Sequence, residues 1–512
     1  MTLSSRAAAA LAGASAGAIG LATAELAAAL LHTRVSPVLA VGEAIIELTP
    51  GAVAERAISA VGRADKPLLV IGVLCGLLIG SALAGVVMLR HRGLGTTALL
   101  ALPVVALVAA ITRADARAAD MLPAVVGGVV GLMVALWLVP RSTVSPSAPP
   151  DRAHVASRSP SRRLFLRDVG LTLLAAGVVG GASRWAGSAR RSVEEARRNV
   201  RLTFAAPTAP SGVELGVPGI SPWITPTDTF YRIDTSLAPP LIKPADWVLR
   251  IHGMVERELR LSYSDLVERG LTDSWVTLCC VSNEVGGELI GNALWSGVRM
   301  DDLLAEAGPL PDADALLSTS RDGWTCGTPL SALTDGRDAL LAVAMNGEPL
   351  PVEHGFPVRM VVPGLYGFVS ATKWVVDWNV TRFDDVDAYW TQRGWAEQCV
   401  IKTQSRIDIP RGGSAVPAGT VNVGGVAWAQ RRGISRVEVR IDDGDWEEAT
   451  LAREPTTDTW VQWVWQWPAE TGRHTVTVRA TDGDGVTQPE QRTEVIPDGA
   501  SGWHSATIDV AT

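Results

Sequence analysis

The chain has 512 residues, 47% of them hydrophobic, and a mean hydropathy of +0.21. That is too apolar for an ordinary soluble enzyme, and the length predicts roughly two to four domains. A formal net charge of −8 leaves no basic footprint for nucleic acid.

The apolarity is concentrated at the front. A helix needs about 20 apolar residues to cross a bilayer. Residues 8–31, 67–89, 94–112 and 121–140 each qualify, so residues 1–140 are expected to hold four transmembrane helices. Residues 32–66, between the first two, read as amphipathic and are expected on the outer surface. The spans hold almost no ionisable residues. His32 and His91 fall at helix ends and no histidine pair faces another, which favours a membrane anchor over a haem-carrying or proton-pumping bundle. Residues 141–163 form a Pro/Ser/Arg-rich cytoplasmic linker, and residues 164–187 a fifth, Gly/Ala-rich helix. Arg90 and Arg92 make one basic loop; Arg141, Arg152, Arg158, Arg162 and Arg163 make another. Basic loops stay inside, so the chain after about residue 187 is expected outside the cytoplasm. "SRRLFLRDVG" (161–170) resembles a twin-arginine export signal used internally, the address of proteins that fold before crossing. The plainer reading of Arg162 and Arg163 is a positive-inside anchor.

Residues 200–400 look globular. "WVLRIHGMV" (247–255) alternates like a strand ending at a Gly turn. "LSYSDLVERG" (261–270) and "VRMDDLLAEAG" (298–308) read as short helices stopped by Gly270 and Gly308. "SWVTLCCVSNEVGG" (274–287) is a strand entering a Gly-rich loop. "ALLAVAMNGEPLP" (339–351) is a strand with an Asn-Gly turn, and "FPVRMVVPGLYGFVSATKWVVDW" (356–378) is strand, Gly loop, strand. Short strands and helices interleave without a βαβ rhythm, which predicts an α+β domain. Residues 401–505 alternate apolar and polar residues between Asp-Gly turns, as in "SRVEVRIDDGDWEEATL" (435–451), and predict a small antiparallel β-sandwich.

The run "TLCCVSNEVGG", then "NALWSGVRMDDLL", then "MNGEPLPVEHGFPVRMVVPGLYGFVSATKW" resembles the sulfite oxidase family of molybdenum enzymes, over about residues 215 to 505. The resemblance implies a molybdopterin domain followed by an immunoglobulin-like dimerisation domain. It implies a molybdenum cofactor held by a pterin dithiolene and one protein thiolate, a ligand class suited to soft sulfur. The Cys-x-x-Asn loop of the family matches Cys280 and Asn283, so Cys280 is the expected metal ligand. Cys279, one residue earlier on a strand, would face the other way. Without the surrounding blocks, two small core cysteines would be the better reading.

The family's pterin contacts carry over to His354, Arg359 and Lys373, Arg offering a planar fork and Lys a point charge to an anion. The chain has four lysines, and Lys373 reads as lying within an otherwise apolar strand. Ser370 and Thr372 are candidates for further bonds to the cofactor, as is Asp322 in "SRDGW", although Asp-Gly is also a plain turn signal. "TPTDTFYRIDT" (225–235) matches the family's Phe-Tyr pair at Phe230 and Tyr231. Where sulfite-oxidising members carry an anion-binding Arg, this chain has Ile233, with Arg232 one place early, and a one-residue shift on a strand changes face. Where they carry a catalytic Tyr, counting from Trp390 gives Trp395; Tyr389 is out of register and Arg393 is nearby. Arg232 and Trp395 therefore stand as candidate catalytic residues and place sulfite as substrate in question.

The resemblance implies Mo(VI)/Mo(IV) cycling with movement of an oxygen atom and two electrons, on a small sulfur-containing or related molecule. No haem motif and no cysteine cluster for iron–sulfur occurs, so electrons are expected to pass to or from an external cytochrome or quinone-linked membrane protein. A homodimer through residues 401–505 is expected from the family. The competing readings are a sulfoxide reductase of the same fold and a molybdenum-free binding module.

Overall fold

The computed structural model describes residues 5–31, 33, 36–50, 53, 61, 64–113, 116–142, 162–186, 188–204 and 206–511. His32, much of the segment before residue 64, and linker residues 143–161 with Arg152 and Arg158 lie outside them. The chain forms two units, Met1–Glu194 with Thr235–Leu241, and Glu195–Asp234 with Ile242–Thr512.

Among the described residues of the first unit, five helices are long and apolar enough to cross a bilayer: Ser5–Leu30, Asp65–Met88, Arg92–Ile111, Ala118–Ser142 and Leu164–Gly181. The first packs against three of the others. It can do so because small residues bring backbones together: a Cβ on Gly13 would lie 2.2 Å from the Ser81 carbonyl oxygen. The exposed face carries large apolar residues, such as Ile79 and Leu83. A further helix, Pro37–Leu48, fills part of the segment expected to be amphipathic; Ser36 caps it by accepting from the Leu39 amide, and Pro37 opens it. Helix Ser5–Leu30 also contains Glu25, a carboxylate within a span.

The second unit contains ten strands of the α+β part. They are β1 Val248–Gly253, β2 Leu259–Ser262, β3 Thr272–Cys279, β4 Ile290–Arg299, β5 Ala315–Ser320, β6 Thr325–Pro329, β7 Leu340–Met345, β8 Glu348–Pro349, β9 Arg359–Val361 and β10 Val375–Thr381. One sheet has the order β2-β1-β10-β5-β6, with β1 and β10 parallel across more than 100 residues of sequence. The other has the order β3-β4-β7-β8, with β9 also on β7. All six residues of β7, "LLAVAM", are buried, as a strand covered on both faces requires. The helix Met300–Ala307 buries Met300, Leu303, Leu304 and Ala307 and stops at Gly308, whose φ is +68°. One core joins the two sheets and includes Trp247, Trp374 and Trp378.

Residues 404–511 form two further sheets over one core of Val, Ala and Trp side chains. Strand β3 is stitched to this region. The Thr277 amide donates to the Asp458 carbonyl, the Trp460 amide donates to Thr277 Oγ1, and Gln430 Nε2 donates to the Thr277 carbonyl. Trp223 and Trp460 exchange indole-to-carbonyl hydrogen bonds at 3.2 and 3.0 Å.

One element differs from the sequence reading. Lys373 is not on a strand. The backbone turns at Trp374, whose φ is +50°, and β10 begins only at Val375. The turn is held by the buried Trp374 indole, which donates to the Val352 carbonyl at 2.8 Å. An apolar flank is therefore an indole packed under a loop, which alternation alone cannot distinguish from a strand.

Candidate active site

Strand β3 ends at Cys279, and Cys280 opens the loop that returns as β4. The Cys280 amide donates to the Leu289 carbonyl, the Asn283 amide donates to the Cys280 carbonyl, and Asn283 Oδ1 accepts from the Leu289 amide at 2.8 Å. Asn283 is thus the side chain that closes the loop. Its Nδ2 is buried without a partner. Cys279 joins the hydrophobic core, and Cys280, also buried, does not. The five cysteines form no disulfide.

An aromatic group stands beside this loop. Phe230 stacks on Tyr231 at 5.1 Å and meets Trp295 and His354 edge-on at 5.8 and 5.7 Å. The segment carrying Phe230 is laid along β4 by reciprocal bonds: the Thr225 amide donates to the Asn292 carbonyl, and the Asn292 amide donates to Thr225 Oγ1. Asn346, in the Asn-Gly turn after β7, adds bonds from Nδ2 to the Thr225 carbonyl and Thr227 Oγ1. Burial, with the charges of Cys280 and Cys279, holds the Tyr231 phenol well above its usual range.

The cationic side of the site comes from the turn Val352–His354, the start of β9 and the Lys373 turn. Arg359 is 4% exposed, lies 5.0 Å over the Trp295 ring, and donates to the carbonyls of Met360, His354 and Ala371 at 3.2 to 3.5 Å. Among the described residues no carboxylate pairs with it. Burial pushes its guanidinium down to about 10. His354 is buried, and its Nδ1 has no hydrogen-bond partner. Burial, then the charges of Lys373, Arg359 and Arg232, push it down to about 3, so the ring is neutral. Lys373 Nζ donates to Asp234 at 3.0 Å and to the Glu353 carbonyl at 3.2 Å; burial lowers it to about 8 against the pull of Asp234.

The remaining candidates are placed as follows. Arg232 is exposed and pairs with Asp234 at 2.9 Å, so one carboxylate serves Arg232 and Lys373 together. Asp322 accepts weakly from the Trp324 amide at 3.3 Å, and burial raises its carboxyl, with Asp234 adding to the rise. Ser370 is buried and donates within its own turn, to the Leu365 and Tyr366 carbonyls. Thr372 is buried against Ser318, with the hydroxyls 2.7 Å apart. Trp395 is buried against Phe368 and Trp390. Ile233 is exposed. Arg393 lies 3.7 Å over the Tyr389 ring and donates to the Tyr389 carbonyl.

The sequence reading missed Asp234 and Trp295. Asp234 has a sequence signal, an acid two residues after Arg232 and hence on the same side of an extended segment. Trp295 has none, because a Trp on a buried strand reads as core.

The donor set suits an anionic, hydrogen-bonding organic cofactor with a soft metal. It combines a buried arginine without a carboxylate, a neutral histidine with an open nitrogen, an unpartnered amide and a thiol on one loop. Comparisons with known proteins agree. Residues 236–390 match the family described as oxidoreductase molybdopterin binding domain. The chain is 31% identical over 325 residues to mitochondrial sulfite oxidase of Mus musculus, covering 52% of this chain and 58% of that protein. It is 32% identical over 169 residues to the uncharacterized oxidoreductase YuiH of Bacillus subtilis (strain 168), covering 82% of that protein. The fold matches the crystal structure of the sulfane dehydrogenase SoxCD from Paracoccus pantotrophus, with a TM-score of 0.51 at 24% identity over 57% of this chain and 85% of that one. The alignment thus spans little more than half of the mouse enzyme.

Proposed function

From the premise that the chain belongs to the sulfite oxidase family of molybdopterin-dependent oxidoreductases, we propose that it is a membrane-anchored oxygen-atom-transfer enzyme whose catalytic unit works outside the cytoplasm. The observation that carries this reading is Arg359, a buried cation served among the described residues by carbonyls and an aromatic face, next to the open Nδ1 of His354. Such a charge is costly unless an anion arrives to meet it. The bound cofactor supplies two-electron Mo(VI)/Mo(IV) chemistry. Cys280 provides the thiolate to the metal, and Asn283 sets its loop. Arg359, Lys373 and His354 hold the pterin and its phosphate, with Phe230, Tyr231 and Asp322 lining the same pocket. Ser370 and Thr372, whose hydroxyls are engaged within the chain, hold the Lys373 turn in place. Arg232 faces the substrate side. Trp395, packed on Phe368, shapes that wall and has no proton to exchange at neutral pH. The five apolar helices anchor the unit, an external electron carrier completes the cycle, and the C-terminal sheets form an immunoglobulin-like dimerisation domain.

The test is molybdenum and pterin content of the purified full chain beside Cys280→Ser. About one molybdenum per wild-type chain is expected of a cofactor held by a single thiolate. The variant is expected to keep pterin and lose the sulfur-to-metal absorption and turnover. A well-folded wild type without either component under ample cofactor supply would leave only a binding role.

A second reading of the substrate has its own observation. Asp234 neutralises one of the two cations it touches, so little positive charge is left for a sulfur oxyanion once the cofactor takes up Arg359 and Lys373. This favours a neutral substrate, such as a sulfoxide to be reduced. Turnover of sulfite against methyl sulfoxides, each with a suitable acceptor or donor dye, decides between them.

A further inference from the structure

The C-terminal region does more than sit beside the cofactor domain. Arg406 is on its first strand, Gln404–Ile409, and its side chain is 8% exposed. Each of the three guanidinium nitrogens donates. Nε donates to Asp408 at 2.7 Å, Nη1 donates to the Gly287 carbonyl at 2.8 Å, and Nη2 donates to Ser221 Oγ at 2.8 Å. Asp408 in turn accepts from the Ser221 amide at 2.9 Å. Gly287 belongs to the Cys280 loop, between Asn283 and Leu289, the two residues whose bond closes it. Ser221 lies upstream on the segment that continues to Phe230 and Tyr231.

A second contact comes from the same region. Gly286 has φ +80°, and a Cβ there would lie 2.3 Å from His504 Nε2. His504 is fixed by accepting the Ile407 amide at its Nδ1, 2.9 Å away. The imidazole and the guanidinium therefore grip consecutive residues of the loop, one by contact and one by a charge-assisted bond.

We infer that Arg406 is a positioning residue for Cys280: by tying the Gly287 carbonyl and Ser221 to one buried guanidinium, the C-terminal region fixes the geometry in which the thiolate is presented to its metal. The hydrogen bonds of Arg406 go to Asp408, Gly287 and Ser221. It acts on Cys280 through the loop. The inference rests on Cys280 being the metal ligand, and its test reads the loop in a way that does not require that role.

The test uses the full chain, purified with cofactor and, separately, from cells unable to make it. In cofactor-free protein, alkylation of Cys280 by iodoacetamide is followed by peptide mass spectrometry. In both forms, hydrogen exchange is followed at residues 280–290. In the loaded form, the Mo(V) electron paramagnetic resonance spectrum is recorded. Arg406→Met is expected to speed alkylation of Cys280 and exchange of the loop by about tenfold or more, the effect of losing a charge-assisted bond. Strands β1 and β10 are expected to exchange as before, and the Mo(V) g-values to shift. Arg406→Lys, which keeps the charge beside Asp408 and loses the fork, is expected to fall between. If Arg406→Met does not fold, Arg406→Lys carries the same readings. Unchanged Cys280 alkylation and loop exchange in the folded variant overturn the inference, whatever the activity. A metal that does not depend on Cys280 would instead appear in the Cys280→Ser metal content, so the two failures are distinct.

Discussion

Arg359→Met tests the cationic pocket most directly, because its two expected effects differ in kind. In the cofactor-free protein, burial holds the guanidinium at about 10 against 12.5. Each tenfold step is about 1.4 kcal/mol, so keeping that charge costs about 3 kcal/mol. The substitution removes this cost. It also strands three carbonyls, at about 1 kcal/mol each given the long 3.2 to 3.5 Å bonds. The two changes nearly cancel, and the cofactor-free variant is expected to melt within a few degrees of wild type, by tryptophan fluorescence in detergent. The loaded protein behaves differently. Loss of one partner of a buried charge pair costs about 2–5 kcal/mol, so cofactor affinity is expected to fall about thirtyfold or more. Molybdenum by mass spectrometry and oxidised pterin by fluorescence read that loss, with Arg359→Lys intermediate because it keeps the charge without the fork. Wild-type cofactor content in the Met variant, or a cofactor-free melting temperature lower by roughly 10 °C or more, would refute the argument.

Two further outcomes follow from the same pocket. Lys373 is held at about 8 by burial even with Asp234 beside it, and a further bound anion raises it, so binding takes up a proton above pH 8. Cofactor retention is therefore expected to weaken as pH climbs from about 8 toward the ordinary 10.5, and to show no such slope in Lys373→Met; a flat wild-type profile over that window contradicts it. Trp395→Ala is expected to cost about 3–5 kcal/mol of stability through lost packing on Phe368 and Trp390. Trp395→Phe should keep turnover within severalfold; a collapse of kcat in the Phe variant at unchanged melting temperature would place the indole in the chemistry.

The long apolar helices were legible as unbroken apolar runs, and most strands because burial on one face imposes a two-residue period. Runs of Leu and Val mark Asp65–Met88 and Leu122–Leu138, and alternation marks β1 and β3. Gly308 was legible as a helix stop because a left-handed φ there has one cheap solution. The strand that ends at Cys279 was legible from its two-residue period. Other features had no local signature. Lys373 was read onto a strand because the tryptophan after it is core-facing through a turn. Glu25 was passed over inside an Ala-rich helix whose composition is otherwise uniform. Asp234 and Arg406 matter through partners 139 and 119 residues away, and no spacing within one segment encodes such a contact. What sequence conveys well is periodicity and motif; what it hides is which distant carbonyl or charge a side chain meets.

The bonds around Thr277 also bear on the order of events while the chain is being made. Synthesis runs from the first residue to the last, and domains tend to fold as they emerge. Strand β3 cannot complete its bonds until Gln430, Asp458 and Trp460 have left the ribosome, 150 to 180 residues after Cys280. Trp223 waits on the same tryptophan. The pocket is therefore finished late, after every helix of the first unit has been translated. A cofactor that needs the closed pocket is expected to enter only after these residues are made, and truncations ending before residue 458 are expected to load it poorly, read as pterin content, even where every pocket side chain is present.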